Sequence, residues 1–145
     1  MSEHHATVEW QRSGEFSYET YSRAHTLRFG GLAVAGNAAP GNIPSTVEPR
    51  AGVDPEQAFV AALSSCHMLW FLDLACRKGW VVERYVDAAV GVLDKTWISR
   101  VTLRPSVSFS GRTPDVEELR ALHHAAHEKC FIANSVKSAV LIEPC

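Results

Sequence analysis

The residues of this chain best suited to chemistry are two of its four cysteines, Cys66 and Cys130. A cysteine that reacts with peroxide needs a second thiol within reach, because that thiol resolves the sulfenic acid and prevents over-oxidation. Cys66 is predicted to lie midway along a long helix, and Cys130 at the flexible end of a second one. Sequence spacing alone does not show that they meet. Cys76 and Cys145 are interpreted as small buried hydrophobic residues.

A reactive thiolate at Cys66 needs a nearby cation, because a mid-helix residue gains little from the helix dipole. His67 is adjacent but points about 100° away around the helix, and Arg23 and Arg28 are both candidates. Glu56 precedes Cys66 by ten residues, roughly 15 Å along the helix axis and about 80° around it. The two can therefore share a site only if Glu56 comes from a second copy of the chain. The simpler interpretation is that Glu56 stabilises the helix dipole.

Two histidines and a cysteine on the second helix offer a different chemistry. His123, His127 and Cys130 fall within about 60° of one another on a helix. Two imidazoles and a thiolate could ligate zinc, but no fourth ligand is evident. Histidines at the edge of the core are the simpler interpretation.

The composition is that of an ordinary globular protein, with 46% hydrophobic and 21% charged residues, and 145 residues predict one domain. The net charge of -2 argues against binding to nucleic acids or anionic membranes. Met1–Gln11 lacks the apolar core of a secretory signal. The apolar run Ala58–Leu72 is interrupted by polar residues and is shorter than the ~20 residues of a membrane span. A soluble, cytoplasmic protein is predicted.

The first half of the chain predicts strands followed by a long helix. Alternation and β-forming residues indicate strands at Ala6–Trp10, Phe16–Tyr21 and His25–Phe29, and Leu32–Arg50 is predicted to be a long loop. A helix should begin at an Asp54-Pro55 cap, end near Lys78 and stop at Gly79. Its middle is apolar on nearly every face, which predicts a fully buried helix.

The second half predicts more strands and one more helix. Val81–Asp94 should form one strand or two, and a half-buried strand should run across Val101–Phe109. A helix is predicted from Thr113-Pro114 to near Lys129, and a last strand over Val136–Ile142. The resulting order, β-β-β-α-β-β-α-β, is that of an α+β protein with an antiparallel sheet.

Over nearly its whole length the chain resembles the osmotically inducible protein C family and its organic hydroperoxide resistance relatives. The similarity is strongest at Asp54–Phe59, Ser64–His67 and His127–Ser135. It implies a single domain over residues 1–145 with a two-layer α+β fold, in which antiparallel sheets wrap around long central helices of an intertwined homodimer. This sequence departs from many relatives at His67, where an apolar residue is common.

The resemblance also implies an activity, that of a thiol peroxidase reducing organic hydroperoxides to alcohols. Cys66 would be the peroxidatic cysteine and Cys130 the resolving one, joined as a disulfide during turnover. Glu56 matches the family's active-site carboxylate. Arg23 is the better match to its arginine, and Arg28 is the alternative.

Partners follow from the same resemblance. Active sites at the subunit interface of a homodimer would bring Glu56 to Cys66 from the other copy. The substrates would be a small organic hydroperoxide and an external dithiol of the lipoyl type, with no metal, flavin or other cofactor. The alternative is a non-catalytic dimer that binds an apolar ligand or serves as a scaffold, with inert, buried thiols.

Overall fold

The computed structural model describes residues 1–145, which divide into two compact units, Met1–Ala58 and Phe59–Cys145. The helices and strands, in chain order, are β1 Thr7–Glu9, β2 His25–Phe29, β3 Leu32–Gly36, α1 Pro55–Arg77, β4 Val81–Asp87, β5 Val90–Asp94, β6 Trp97–Leu103, β7 Pro105–Ser110, α2 Val116–Lys129 and β8 Ala139–Ile142. The α+β class predicted from the sequence is confirmed, with more strands after α1 than expected.

The first unit contains an antiparallel sheet with the strand order β1-β2-β3. The predicted strand at His25–Phe29 is confirmed as β2. The strand predicted at Phe16–Tyr21 is wrong, because side-chain hydrogen bonds between Ser17 and Thr20 close a turn there instead. The predicted loop Leu32–Arg50 is wrong in its first five residues, which pair with β2 as β3.

Helix α1 begins and ends where its capping residues predict. The Asp54 carboxylate accepts the Gln57 backbone N–H at 2.7 Å, and the Gln57 side chain accepts the Asp54 N–H at 3.2 Å. This reciprocal pair satisfies two of the free donors of the first turn. At the other end Gly79 has a φ of 80°, and the chain leaves the helix there.

The prediction that α1 is buried on every face is wrong for a single chain. Its buried residues form one stripe at four-residue spacing, Leu63, His67, Phe71 and Ala75. Leu69, on another face, is 61% exposed. Helix α1, at 23 residues, is long and apolar enough to cross a membrane by length and composition alone, although the apolar run Ala58–Leu72 predicted that it would be too short. Its buried stripe forms part of a folded core, however.

The second unit contains two sheets, one of β4 and β7 and one with the order β5-β6-β8. The single strand predicted across Val101–Phe109 is divided at Arg104 between these sheets. The Arg104 backbone N–H donates to the Asp87 carboxylate at 2.6 Å, and Pro105 begins β7. The pairing is antiparallel except for β6 with β8, which is parallel.

Helix α2 begins two residues later than the predicted Pro114, because Asp115 forms the capping box with Glu118. Two apolar clusters then hold the helices of this unit. In one, Phe71 and Ala75 of α1 contact α2; in the other, Leu63 contacts β6. The core residues of α1 are thus divided between α2 and a strand.

We predict that Gly79→Ala lowers the free energy of unfolding by about 1 kcal/mol, because a side chain is strained at positive φ. Gly31→Ala is the matched control, since neither glycine has an atom near its added methyl group and only Gly79 has a positive φ. Urea denaturation of both variants provides the measurement. Equal stabilities for the two variants would contradict the assignment of Gly79 as the helix stop.

Candidate functional site

The structure brings together the two cysteines singled out in the sequence. Cys66 is half-buried on α1, Cys130 follows the last residue of α2, and both are free thiols. Their side chains lie within hydrogen-bonding reach of each other. Two thiols in contact and unjoined form a pair that can be oxidised to a disulfide with little rearrangement.

The turn after α2 determines the position of the Cys130 thiol. The Cys130 N–H donates to the His127 carbonyl oxygen at 3.1 Å, and its own carbonyl oxygen accepts from Asn134 N–H at 3.0 Å. The turn thereby places the Ala133 N–H 3.4 Å from the Cys130 sulfur. Burial raises the pKa of Cys130 to about 11, against the opposing effect of this hydrogen bond. The resolving candidate is therefore a neutral thiol.

The other two cysteines differ from what the sequence predicted. Both Cys76 and Cys145 are exposed, so their interpretation as buried hydrophobic residues is wrong. Cys76 lies at the end of α1, beyond the core residues, and Cys145 is the last residue of the chain. Since both are exposed, unlike the half-buried Cys66 and the buried Cys130, they serve as internal controls for the reactivity of that pair.

The predicted arginines and the predicted carboxylate lie in the first unit. The Arg23 guanidinium donates to the carbonyl oxygens of Tyr21 at 2.7 Å and Tyr18 at 2.9 Å, and lies 3.7 Å from the centre of the Tyr21 ring. Arg28 is instead paired with Glu9 at 2.7 Å. Arg23 is held by neutral groups, so its charge is not cancelled by a carboxylate.

Glu56 lies in the first turn of α1, where its charge is favourable for the helix dipole. One of its carboxylate oxygens is buried and has no hydrogen-bond partner in the chain. A buried carboxylate oxygen without a partner is costly. The pairing of Glu56 with Arg23 implied by the resemblance is not formed within one chain and stays a prediction.

An aromatic cavity lies beside Arg23 in the first unit. Its volume is about 450 Å³, and its lining residues are Val8, Trp10, Phe16, Tyr21, Arg23, His25, Asn37, Ala38 and Pro55. The rings of Trp10, Phe16 and Tyr21 contact one another, with centroids 5.0–6.2 Å apart. The sequence did not indicate this cavity, because the strand predicted at Phe16–Tyr21 would separate these side chains onto two faces.

The three histidines near the thiols form a cluster that the sequence only partly indicated. The His67 Nε2 and His123 Nδ1 atoms are hydrogen-bonded at 3.0 Å, and these two rings are 1% and 3% exposed. No group of three or more His, Cys, Asp or Glu side chains is placed to hold a metal ion. The zinc alternative on His123, His127 and Cys130 therefore has no geometric support.

Burial keeps the histidine pair neutral. It is the main reason that the pKa of both His67 and His123 is lowered to about 4, and for His67 the neighbouring His123 and His127 contribute to the same shift. Asp87 opposes this shift for His67. Nδ1 of His67 and Nε2 of His123 are buried without partners, so a second proton on either ring would be poorly accommodated.

We predict an acid-sensitive stability from this pair. Because the folded pKa values of about 4 lie below the value near 6.5 expected in the unfolded chain, the unfolded state binds more protons between these limits. The contribution of the neutral pair to the free energy of unfolding should be present in full above about pH 6.5. It should decrease as the pH falls toward 4, by at most about 3 kcal/mol for each ring. Urea denaturation at a series of pH values measures this loss.

Two variants test the assignment. In the amide-pair variant, His67→Gln with His123→Asn, the two amides reach the positions of the bonded ring nitrogens but do not titrate, so the loss between pH 6.5 and 4 should shrink. His124→Gln, at an exposed position of α2 next to His123, should lose as much stability between pH 6.5 and 4 as the wild type does. An unchanged pH dependence in the amide-pair variant would refute the prediction.

Comparisons with known proteins agree on a family. The model of the OsmC-like protein family matches residues 48–144. No curated protein matches the chain. Among solved structures, an OsmC-like protein of unknown function from Vibrio cholerae is 47% identical, with a TM-score of 0.93 and complete coverage of both chains.

More distant structures share the fold. The organic hydroperoxide resistance protein OhrB of Bacillus subtilis is 21% identical, with a TM-score of 0.65, and the match covers 97% of this chain and 98% of that one. A Legionella pneumophila protein described as an organic hydroperoxide resistance protein and predicted redox protein is 18% identical, with a TM-score of 0.66 and coverage of 99% and 96%. At these identities the likeness shows the fold alone.

Proposed function

This chain belongs to the OsmC-like protein family, and on that premise we propose that it is a thiol-dependent peroxidase that reduces organic hydroperoxides to alcohols. The observation that carries the proposal is the contact between the free thiols of Cys66 and Cys130. Their unequal burial supports unequal roles. The half-buried Cys66 would react with peroxide, and the buried Cys130 would react only with the oxidised Cys66.

The proposed reaction has two steps on the protein. The Cys66 thiolate attacks the outer oxygen of R–O–O–H, so an S–O bond forms, the O–O bond breaks, and the alkoxide takes up a proton to become the alcohol. Cys66, oxidised by two electrons, is then a sulfenic acid. The Cys130 sulfur attacks it, an S–S bond forms, the S–O bond breaks, and hydroxide leaves as water with the Cys130 proton.

An external dithiol would complete the cycle by reducing the Cys66–Cys130 disulfide, with its own two thiols oxidised in exchange. A reductant of the lipoyl type is proposed from the resemblance described above. The protein needs no resident cofactor for this cycle, because sulfur carries both electrons. The proposed compartment is the cytoplasm, where such a disulfide is continually reduced.

Activation of Cys66 requires a positive group, and Arg23 is the proposed one. Its guanidinium is bound to carbonyl oxygens and an aromatic ring, which hold it in place without cancelling its charge. Arg28 is the weaker candidate because Glu9 already neutralises it. Glu56 would orient the guanidinium of Arg23 through a charge-assisted pair.

This arrangement is proposed to form in a homodimer with an active site at the subunit interface. Helix α1 is apolar nearly all round, yet one chain buries only a single stripe of it and leaves Leu69 61% exposed. The buried Glu56 oxygen also lacks a partner within the chain. A second copy would cover the remaining apolar surface of α1 and supply that partner.

The aromatic cavity supports an organic hydroperoxide as the substrate. Its lining is mostly apolar, and Arg23 contributes the charge at its wall. Transfer of an alkyl chain from water into such a cavity is worth about 0.8 kcal/mol per methylene, an advantage that H₂O₂ lacks. The aromatic residues of α1 do not line this cavity: Phe71 is in the core, and Trp70 contacts Phe131.

We predict that Cys66→Ser abolishes consumption of cumene hydroperoxide in the presence of a dithiol, because a serine hydroxyl is a far weaker nucleophile than a thiolate. Cys76→Ser, at an exposed cysteine directly after the last buried residue of α1, should retain wild-type activity. Peroxide loss is followed colorimetrically. Wild-type activity in Cys66→Ser would refute the nucleophile assignment, whereas no activity even in the wild type would favour the non-catalytic dimer.

We predict that Cys130→Ser reacts once at a normal rate and then loses activity within a few turnovers. Without its resolving partner, the Cys66 sulfenic acid would persist and be oxidised to sulfinic and sulfonic acid. Mass spectrometry of the intact protein after successive additions of peroxide measures this, with Cys145→Ser as the control. Absence of sulfinic and sulfonic acid at Cys66 after repeated additions of peroxide, with no free thiol in solution, would show that another group of the protein resolves Cys66.

A further inference from the structure

A buried imidazole pair joins the two helices that carry the thiols. His67, on α1, follows Cys66 directly, and His123, on α2, lies about two turns before Cys130. Their rings are nearly parallel, at 8° with centroids 5.3 Å apart, and are hydrogen-bonded at 3.0 Å. The Phe71 ring stacks on the His123 ring, with a centroid distance of 4.5 Å. The pair is therefore enclosed where α1 meets α2.

We propose that the hydrogen bond between His67 and His123 is a positioning device that fixes α1 against α2 so that Cys66 and Cys130 stay in contact, and that acid releases it. The inference rests on the proposed function, since it concerns the thiol pair of that reaction. Apolar packing between these helices is not directional and tolerates sliding. A hydrogen bond tolerates little change in distance or angle, so this one fixes the register of the two helices.

The bond depends on both rings being neutral. One shared nitrogen must carry the proton and the other must accept it, so protonation of the acceptor leaves two N–H groups facing each other. The titratable groups that act on His67 are His127 from α2 and Asp87 from β4, and Tyr85 from β4 packs against Phe71 beside the pair. On its other side His123 borders a cavity that is also lined by the titratable and charged residues Arg120, His124 and Cys145. Only Asp87 could compensate a buried imidazolium, and its carboxylate already accepts from Ser64 and from a backbone N–H.

The Cys66–Cys130 disulfide provides a direct readout of this positioning. Its equilibrium with glutathione gives an effective concentration of one thiol at the other, and that quantity falls when the helices lose their register. A role in overall stability alone would not change it in a folded variant. The measurement follows the mass of the peptides that contain Cys66 and Cys130 across a series of glutathione redox buffers.

Three variants separate the possibilities. The pair His67→Leu with His123→Leu keeps the apolar bulk without the bond, and its effective concentration should be about five- to tenfold lower than that of wild type at pH 7.5. The amide-pair variant should match wild type at pH 7.5. At pH 4.0, where a large share of the rings is protonated, the effective concentration in wild type should fall relative to that in the amide-pair variant, measured in samples that circular dichroism shows to be folded. His124→Gln should follow wild type throughout.

The inference is overturned if the leucine pair stays within twofold of wild type at pH 7.5. It is equally overturned if wild type and the amide-pair variant show the same pH dependence, a comparison that decides the matter even should the leucine pair fail to fold. Failure of the proposed function has a different signature: wild type itself would form no disulfide between Cys66 and Cys130 in any buffer.

Discussion

The chemistry proposed for this protein depends on two thiols being held in contact without being joined. Cys66 belongs to a helix and cannot move far, so the approach depends on Cys130, which the turn after α2 places against it. Burial keeps Cys130 protonated and therefore unreactive toward peroxide in solution. The same burial prevents both cysteines from competing for the substrate. Peroxide from solution can reach the Cys66 thiol, whereas the Cys130 thiol can react only with Cys66.

The surroundings of this pair explain why α1 has its unusual composition. One stripe of the helix packs against α2 and β6 within the chain, while its other apolar positions are only partly covered and Leu69 is exposed. In the proposed dimer this apolar surface would be buried, and the unpartnered Glu56 oxygen would pair with Arg23. A helix that forms both the core of one subunit and the interface with another has to be apolar nearly all round. The sequence shows this property, but does not show which partner covers which face.

The sequence predicted the fold best where several local signals indicate the same helix end. The capping residues around Asp54 and Gly79 fixed the ends of α1 almost to the residue. Prediction failed where non-local pairing decides the structure. Arg104 interrupts a regular alternation because its backbone bonds to Asp87, which is distant in sequence. Local hydrogen bonds at Ser17 likewise outcompete a strand that residue propensity favours.

The sequence identified the residues of the candidate site but not their arrangement in space. Family motifs pointed to Cys66 and Cys130, whereas only the packing of α1 on α2 shows that they touch. The His67–His123 pair was missed for a related reason. The helical rotation between His67 and Cys66 correctly excludes a direct pair, but it does not show that His67 faces the other helix.

The central claim is best tested by adding one equivalent of cumene hydroperoxide to the fully reduced protein and mapping the oxidised cysteines by peptide mass spectrometry without a reducing step. We expect a single product, a disulfide linking the peptides that contain Cys66 and Cys130, with Cys76 and Cys145 still reduced. Oxidation confined to the two exposed cysteines, or a reduced Cys66 after the peroxide is consumed, would contradict it.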